Sequence, residues 1–182
     1  MTRIDWRFKA RSHATAIAFA AICLMAALGI GSACAADAVV VALGASQTYG
    51  KGVARGEDYP AQLELMLRAK GRRVTVVNAG VNGDTTYGML SRLDGSTPDG
   101  TRVVILQPGG NDARNGIASE RAGNVDQIKK RLAARGIKLI MLENSYFGGV
   151  ERGPDGQHLT GEEYHALAEH LLPQVLRALQ SN

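Results

Sequence analysis

Short apolar runs alternate with amphipathic stretches along most of the chain. Runs rich in β-branched residues predict four buried strands, at 39–43, 74–78, 102–107 and 138–142. Apolar residues at helical spacing predict the main helices, at about 58–70, at 119–135 and from 160 onwards. Strands that alternate with helices build parallel sheets. We therefore expect an α/β fold of three layers, in which a small, mostly parallel sheet of about four strands carries helices on both faces.

Polar, turn-forming segments follow the ends of the predicted strands. Ser46 follows the first strand, Gly83 the second and Asn111 the third. Asp155 and His158 lie in the loop before the last helix. With the strand order 2-1-3-4, these loops meet at one edge of the sheet, where open α/β sheets bind their ligands. We expect that strand order, and a functional site where the loops converge.

Three residues in these loops are of the types that serine hydrolases use. Serine is a weak nucleophile that requires a neighbouring base, and His158 can accept its proton near neutral pH. Asp155, three residues before the histidine, can hold the other imidazole nitrogen. Taken alone, Ser46 is better explained as a turn residue and His158 as a surface histidine. Taken together, the three residues predict a catalytic triad.

Attack of a serine on an ester produces an oxyanion, which needs hydrogen-bond donors aimed at it. The main-chain N–H groups of Ser46 and Gly83 and the side-chain amide of Asn111 are the candidates. Considered alone, Asn111 after two glycines is also compatible with an ordinary turn.

Four segments of the chain, in order, resemble the motifs of the SGNH hydrolases, also called GDSL esterases or lipases: 44–50, 78–85, 109–112 and 155–158. The resemblance implies a flavodoxin-like fold, hydrolysis of esters or thioesters, and neither a metal nor another cofactor. It also implies a role for each matching residue. Ser46 would be the nucleophile, with Asp155 and His158 as its partners, and the oxyanion hole would consist of Ser46, Gly83 and Asn111.

The chain departs from the family pattern in three places. Ala45 stands where an aspartate usually precedes the nucleophile, which removes a polar anchor from that loop. Leu159 stands where a proline commonly follows the histidine. Only about 40 residues separate Asn111 from Asp155, whereas many relatives have a further helix and strand there. We therefore expect a smaller sheet and a more open site.

The first 35 residues have the pattern of a signal peptide. A basic start is followed by a mostly apolar run over 14–30, and Ala33 and Ala35 occupy the small-residue positions of a cleavage site. We predict a signal peptide over 1–35 and a hydrolase domain over 36–182. The protein would then be secreted, into the periplasm, without stable membrane insertion after cleavage. A retained membrane anchor and lipid attachment at Cys34 are the alternatives.

Charge and cysteine content argue against other classes of function. The chain has 21 Lys and Arg and 17 Asp and Glu. Four of the basic residues and one acidic residue lie in the leader, which leaves 17 and 16, a net charge of +1. We expect no nucleic-acid partner, because no aromatic residues interleave the basic residues of the 114–135 region. Both cysteines, Cys23 and Cys34, also lie in the leader, so cleavage leaves no thiol nucleophile.

Two further patterns have simpler explanations. The segment 44–51 is similar to a phosphate-binding loop, but its glycine spacing is one residue too long and Gly52 replaces the metal-binding Ser or Thr. His165 and His170 lie near several glutamates on the last helix, which could suggest a metal site. Because they are five residues apart and do not share a helix face well, a solvated surface explains them better.

The sequence as a whole predicts a secreted serine esterase that acts through an acyl-enzyme. Its substrates would be small esters with short acyl or aryl groups, and thioesters are also compatible with the site. One alternative is a carbohydrate O-deacetylase of the same family, acting on an acylated glycan. The alternative from another class is a non-catalytic binding module on this fold, which Ala45 and the missing helix and strand would explain.

Overall fold

Four parallel strands form the centre of the fold in a computed structural model that describes residues 37–180. They are β1 (Ala38–Gly44), β2 (Val74–Gly80), β3 (Thr101–Gln107) and β4 (Lys138–Met141). Their order in the sheet is β2-β1-β3-β4, and every neighbouring pair is parallel. The predicted strand order is confirmed, and it brings the carboxyl ends of β1, β2 and β3 to one edge.

Three longer helices and four short ones connect and follow the strands. They are α1 (Ser46–Tyr49), α2 (Tyr59–Ala69), α3 (Thr86–Ser91), α4 (Leu93–Ser96), α5 (Asn111–Arg114), α6 (Arg121–Ala134) and α7 (Gly161–Gln180). Two 3₁₀ turns cover Ala118–Glu120 and Asn144–Phe147. The four-residue helices α1, α4 and α5 and the 3₁₀ turn at 144–147 were not predicted, because pieces so short have no readable apolar period.

The side chains of β1 point alternately into two apolar clusters, one on each face of the sheet. Val40 and Ala42 join the cluster formed with α2 and α7. Val41 and Leu43 join the cluster formed with α3, α4 and α6. All four side chains are fully buried, as expected for a central strand that is covered on both faces. The predicted three-layer α/β architecture is confirmed.

Polar side chains define where the helices that flank the sheet begin. Asp58 accepts a hydrogen bond from the Ala61 N–H at 3.2 Å and caps α2. Thr160 accepts one from the Glu163 N–H at 3.2 Å at the start of α7. The Glu163 carboxylate accepts a hydrogen bond from the Glu151 N–H at 3.2 Å. This bond ties the middle of the segment between β4 and α7 to the first turn of the helix.

The strand β2 is two residues longer than the apolar pattern predicts. It continues to Gly80, which pairs with Gly44 of β1. A Cβ atom at position 80 would lie 2.2 Å from the main-chain nitrogen of Tyr49, so only glycine allows α1 to pack this closely on the strand. The turn after β1 therefore rests directly on β2.

The predicted signal peptide and the cysteines in it lie outside the described residues. Within residues 37–180, the search for a helix long and apolar enough to cross a bilayer found none.

Candidate active site

The turn after β1 presents Ser46 as the first residue of α1. Gln107, the last residue of β3, holds this turn from the adjacent strand. Its Oε1 accepts hydrogen bonds from the Ala45 N–H at 3.1 Å and from the Thr48 hydroxyl at 3.3 Å. A Cβ atom at Gly44 would lie 2.2 Å from the Thr48 Oγ1, so the turn closes tightly only with glycine there. The backbone around Ser46 is therefore fixed by buried contacts with the sheet.

The loop before α7 brings His158 and Asp155 to Ser46. The His158 Nε2 lies 2.9 Å from the Ser46 Oγ, within hydrogen-bond distance. Its Nδ1 lies 2.5 Å from the Asp155 Oδ2. With the proton on Nδ1, the imidazole donates to the carboxylate and accepts from the serine hydroxyl. The structure thus brings together the three residues of the predicted triad from opposite ends of the described chain.

Asp155 is held in its orientation by the backbone of its own loop. Its Oδ1 accepts hydrogen bonds from the N–H groups of Gln157 and His158, both at 2.9 Å. The pKa of Asp155 is lowered below its usual range, chiefly by the His158 N–H, then by the His158 side chain and by the Gln157 N–H. The side chain of Asp155 is also 41% exposed to water. Its carboxyl group therefore stays ionised and can stabilise a charged imidazole.

Gln47, next to the candidate nucleophile, connects the loop that carries Asp155 and His158 (the histidine loop) to the Ser46 turn. The Gln47 Nε2 donates to the Gln157 carbonyl at 2.9 Å. The Gln47 Oε1 accepts from the Tyr164 hydroxyl at 3.0 Å and from the Leu159 N–H at 3.4 Å. Burial raises the pKa of Tyr164, and the nearby Asp155 carboxylate raises it further, so the hydroxyl remains a donor. This role of Gln47 could not be predicted from sequence, because its partners lie more than 100 residues away.

The candidate oxyanion donors are placed differently from one another. Ser46 and Asn111 line the cavity beside the triad. The Asn111 Nδ2 donates one of its two N–H bonds to the Asp84 carbonyl at 2.8 Å, which leaves the second available. Gly83 is exposed, has a φ of +78° and does not line this cavity. Within residues 37–180, its N–H donates to no protein acceptor.

The loops after β1, β2 and β3 are connected by polar side chains that the sequence did not single out. Arg92 donates to the Gly44 carbonyl at 3.1 Å and to the Asp84 carboxylate at 2.8 Å, which joins the first two loops. Asp112, which is buried, accepts from the N–H and the hydroxyl of Thr86 at 3.1 and 2.5 Å. These contacts hold the third loop against the second and fix the position of Asn111.

The cavity in front of Ser46 has a volume of about 210 Å³. Most of its wall is polar, and five of its lining residues carry side-chain amides: Gln47, Gln107, Asn111, Asn144 and Gln157. Phe147 and Ala45 are the apolar side chains among its lining residues, and Arg114 and Arg152 are the charged ones beside His158. The volume lies below the roughly 300–1,000 Å³ of pockets for drug-sized ligands. The site therefore suits a small, polar substrate.

The histidines of the last helix lie apart from this cavity. The His165 Nδ1 is 3.3 Å from the Gln62 Oε1 and its Nε2 is 3.6 Å from Glu169. The ring of His170 lies 4.9 Å from that of Tyr146. A search of residues 37–180 found no group of three or more His, Cys, Asp or Glu side chains that could hold a metal ion.

Comparisons with known proteins agree with this geometry. The model of the GDSL-like lipase/acylhydrolase family matches residues 42–179, a range that contains all five candidate site residues. The solved structure of AlinE4, described as an SGNH-hydrolase family esterase, is 30% identical, with a TM-score of 0.54. That match covers 78% of this chain and 73% of the other.

Two curated proteins are similar over a shorter stretch. Esterase TesA of Pseudomonas aeruginosa is 30% identical over 110 residues, covering 59% of this chain and 55% of that protein. An arylesterase of Vibrio mimicus is 28% identical over 119 residues, covering 63% of this chain and 58% of that protein. This chain therefore spans somewhat more than half the length of the curated relatives it matches.

Proposed function

Because this chain belongs to the GDSL-like lipase/acylhydrolase family, we propose that it is a serine esterase that hydrolyses short acyl or aryl esters. The observation that carries the proposal is the continuous contact from the Ser46 hydroxyl through the His158 imidazole to the Asp155 carboxylate. The similarity to an esterase and to an arylesterase supports the reaction class. Thioesters belong to the proposal as further substrates, because the same nucleophile attacks both kinds of carbonyl.

The first half of the proposed reaction forms an acyl-enzyme. The Ser46 Oγ attacks the ester carbonyl carbon while its proton passes to the His158 Nε2. The carbonyl oxygen becomes an oxyanion, for which the Ser46 N–H, the Gly83 N–H and the free N–H of the Asn111 amide are the proposed donors. The ionised Asp155 stabilises the imidazolium. The C–O bond to the alcohol then breaks, and the alcohol leaves with the proton from Nε2.

The second half of the reaction returns the enzyme to its starting state. A water molecule attacks the acyl carbon, and the His158 Nε2 accepts its proton. The same donors hold the second oxyanion. When the bond between the acyl carbon and the Ser46 Oγ breaks, the serine recovers a proton from Nε2 and the carboxylic acid leaves. His158, Asp155 and the oxyanion donors therefore perform the same tasks in both halves, whereas Ser46 is the nucleophile in the first half and the leaving group in the second.

A carbohydrate O-deacetylase is the second candidate, and the polar cavity wall is the observation that favours it. Five side-chain amides and one aromatic ring in the cavity wall offer the hydrogen bonds and stacking surface that hydroxylated rings use. Release of acetate from an acetylated glycan, with poor hydrolysis of simple aryl esters, would favour this candidate.

A covalent probe distinguishes an esterase from a non-catalytic module on the same fold. We expect a fluorophosphonate to label the purified protein on Ser46, and p-nitrophenyl acetate and butyrate to be hydrolysed. Ser46→Ala should abolish both labelling and hydrolysis, while Ser91→Ala, a matched change at an exposed serine on α3, should preserve both. An unlabelled wild-type protein that hydrolyses none of a panel of esters would contradict the proposal.

We also propose that the enzyme is exported and acts in the periplasm after removal of residues 1–35. The basic start, the apolar run and the small residues at 33 and 35 support this proposal. Cell fractionation and amino-terminal sequencing of the protein expressed from its full sequence test it. A mature protein that begins near residue 36 in the periplasmic fraction is expected, and an uncleaved chain in the cytoplasm would contradict it.

A further inference from the structure

Two arginines line the cavity in front of Ser46, and neither is neutralised by a carboxylate. Arg114 and Arg152 both contribute to the wall, and no Asp or Glu is among the lining residues. Within residues 37–180, no salt bridge involves either arginine. The cavity therefore carries two positive charges that its own wall does not compensate.

Arg152 is held in place by neutral acceptors. Its Nη1 donates to the Gln157 carbonyl at 3.0 Å, and its Nη2 donates to the Phe147 carbonyl. Both acceptors belong to residues of the cavity wall. A carbonyl oxygen orients a guanidinium without neutralising its charge. Among the described residues, three of the five N–H donors of Arg152 have no hydrogen-bond acceptor. Arg152 is therefore positioned, half-buried and still able to bind an anion.

Arg114 is the last residue of α5 and lines the cavity from the loop after β3. Its Nη1 donates to the Asn111 Oδ1 at 3.4 Å, a long contact with a neutral amide. This is the one contact of its guanidinium among the described residues. Arg114 therefore places a nearly free charge beside the candidate oxyanion donor.

The carboxylate that contacts His158 is already engaged within its own loop. Asp155 accepts hydrogen bonds from the Gln157 N–H and from the N–H and imidazole of His158. The rest of the wall is mostly neutral amide, with Phe147 and Ala45 as the apolar side chains among its lining residues. A long aliphatic chain would displace water from these polar groups without replacing its hydrogen bonds. A charged substrate would gain charge-assisted hydrogen bonds.

We propose that the cavity selects small esters that carry an anionic group, which Arg114 and Arg152 bind while Ser46 attacks the carbonyl. Carboxylate and phosphate groups share the required chemistry, because each accepts the paired N–H donors of a guanidinium. The inference rests on the proposed esterase function and narrows its substrate class. It does not require the anion to lie on a particular side of the ester bond.

Two pairs of esters test the inference and show which half of the substrate carries the anion. In the first pair, 4-acetoxybenzoate carries a carboxylate on the alcohol side and its methyl ester does not. In the second pair, the mono-4-nitrophenyl ester of adipic acid carries the carboxylate on the acyl side, and its methyl ester is the neutral partner. We expect the wild-type protein to favour the anionic member of at least one pair by about tenfold in kcat/KM. The preference should shrink at high salt, because exposed charges are screened.

Charge removal at each arginine is the second part of the test. Arg114→Gln and Arg152→Gln should each reduce the preference several-fold, mainly through a higher KM for the anionic ester, because remote binding acts on ground state and transition state alike. Arg152→Lys keeps the charge and should keep most of the preference. Arg131→Gln removes one charge from α6, where Arg131 faces Asp94 at 3.7 Å, and should leave the preference unchanged.

The outcomes separate this inference from the function on which it rests. Hydrolysis of both members of each pair at equal rates, or a preference for the neutral members, would overturn the inference and leave an esterase. An equal loss on both members in Arg114→Gln and Arg152→Gln would also overturn it, since the arginines would then act only on the structure. Hydrolysis of neither member of either pair would overturn the proposed function, and the inference with it.

Discussion

The two halves of the candidate site are built in different ways. The Ser46 side lies on the sheet: β1 and β3 are adjacent, and buried Gln107 bonds the backbone just before the serine. The His158 side lies on the segment between β4 and α7, where Asp155 and Gln157 are exposed. Among the described residues, the backbone of that segment forms one isolated β-bridge, between Arg152 and Leu159. The serine half is placed by the strands of the sheet, whereas the histidine half is placed by buried Leu159 together with several polar contacts.

Because of this difference, we expect substitutions in the two halves to have different effects on the free energy of unfolding and on turnover. Changes beneath the Ser46 turn disturb buried hydrogen bonds, so they should lower the free energy of unfolding. Changes at the contacts of the histidine loop disturb exposed or half-exposed bonds, so they should lower turnover with less effect on stability. The predictions below test this contrast, beginning with the largest expected effect.

The largest effect is expected where the two halves meet. Ser46→Ala and His158→Ala should each lower kcat for ester hydrolysis by about 10⁴-fold or more, because the triad acts as a unit. The double variant should lose no more activity than either single variant. Steady-state kinetics with p-nitrophenyl acetate measure all three. Losses that multiply in the double variant would mean that the two side chains act independently.

A smaller loss is expected for the oxyanion donor on the sheet side. Asn111→Ala removes the side-chain amide, and loss of one such donor costs about 10²–10³-fold in kcat. Asn82→Ala changes an exposed asparagine in the loop after β2 and serves as the control. Full activity in Asn111→Ala would show that the amide does not stabilise the oxyanion.

Gln107→Leu tests the anchoring of the Ser46 turn. Leucine fills a similar volume but leaves the Ala45 N–H and the Thr48 hydroxyl without their acceptor. A buried donor that loses its partner costs about 1–3 kcal/mol, so urea unfolding should show a loss of stability in that range. Gln107→Glu keeps an oxygen acceptor and should lose less than Gln107→Leu. Unchanged unfolding of both variants would show that the sheet does not hold the turn in this way.

Gln47→Leu tests the matching contact on the histidine side. It removes the bond to the Gln157 carbonyl, which is exposed and can bind water instead, and the bond to the Tyr164 hydroxyl, which is partly buried. We expect a loss of about tenfold in kcat, as expected for a positioning contact, and a stability change below that of Gln107→Leu. A large loss of stability with full turnover would reverse the contrast between the two halves.

The same contrast explains how much of the molecule could be predicted from sequence. Apolar runs determine the strands and the layers, and short, right-handed connections restrict the strand order. Both features can be recognised in short stretches of sequence. The candidate triad could be assembled because each of its loops resembles a family motif. Ala45 suggested a loop without a polar anchor, yet Gln107 provides that anchor from another strand.

The roles of Gln47, Gln107 and Arg92 could not be predicted for a shared reason. Apart from the Asp84 carboxylate, which is eight positions from Arg92, the partners named above lie 48 to 117 positions away in sequence. An amide or a guanidinium in a loop has many possible partners. Only the three-dimensional arrangement selects among them. The positions of Ser46 and His158 were thus predictable as a pair, whereas the side chains that hold them together were not.

The smallest expected effect concerns the dependence of stability on pH at the exposed half of the site. The pKa of Asp155 is lower in the folded protein than the value of about 3.9 for an unfolded aspartate. The group therefore contributes stability that is fully present above about pH 5 and disappears as pH falls through the folded pKa.

Asp155→Asn does not ionise and lacks this contribution. The difference in unfolding free energy between wild type and Asp155→Asn should stay constant from pH 7 to 5 and narrow below pH 4. Urea unfolding at a series of pH values measures it, with Asp99→Asn, an exposed aspartate before β3, as the control. Parallel curves for wild type and Asp155→Asn down to pH 2 would mean that the backbone N–H groups of the loop do not favour the ionised carboxylate. The position of His158 would then depend more on the bonds of Gln47 to the neighbouring backbone groups of Gln157 and Leu159 than on the ionised carboxylate of Asp155.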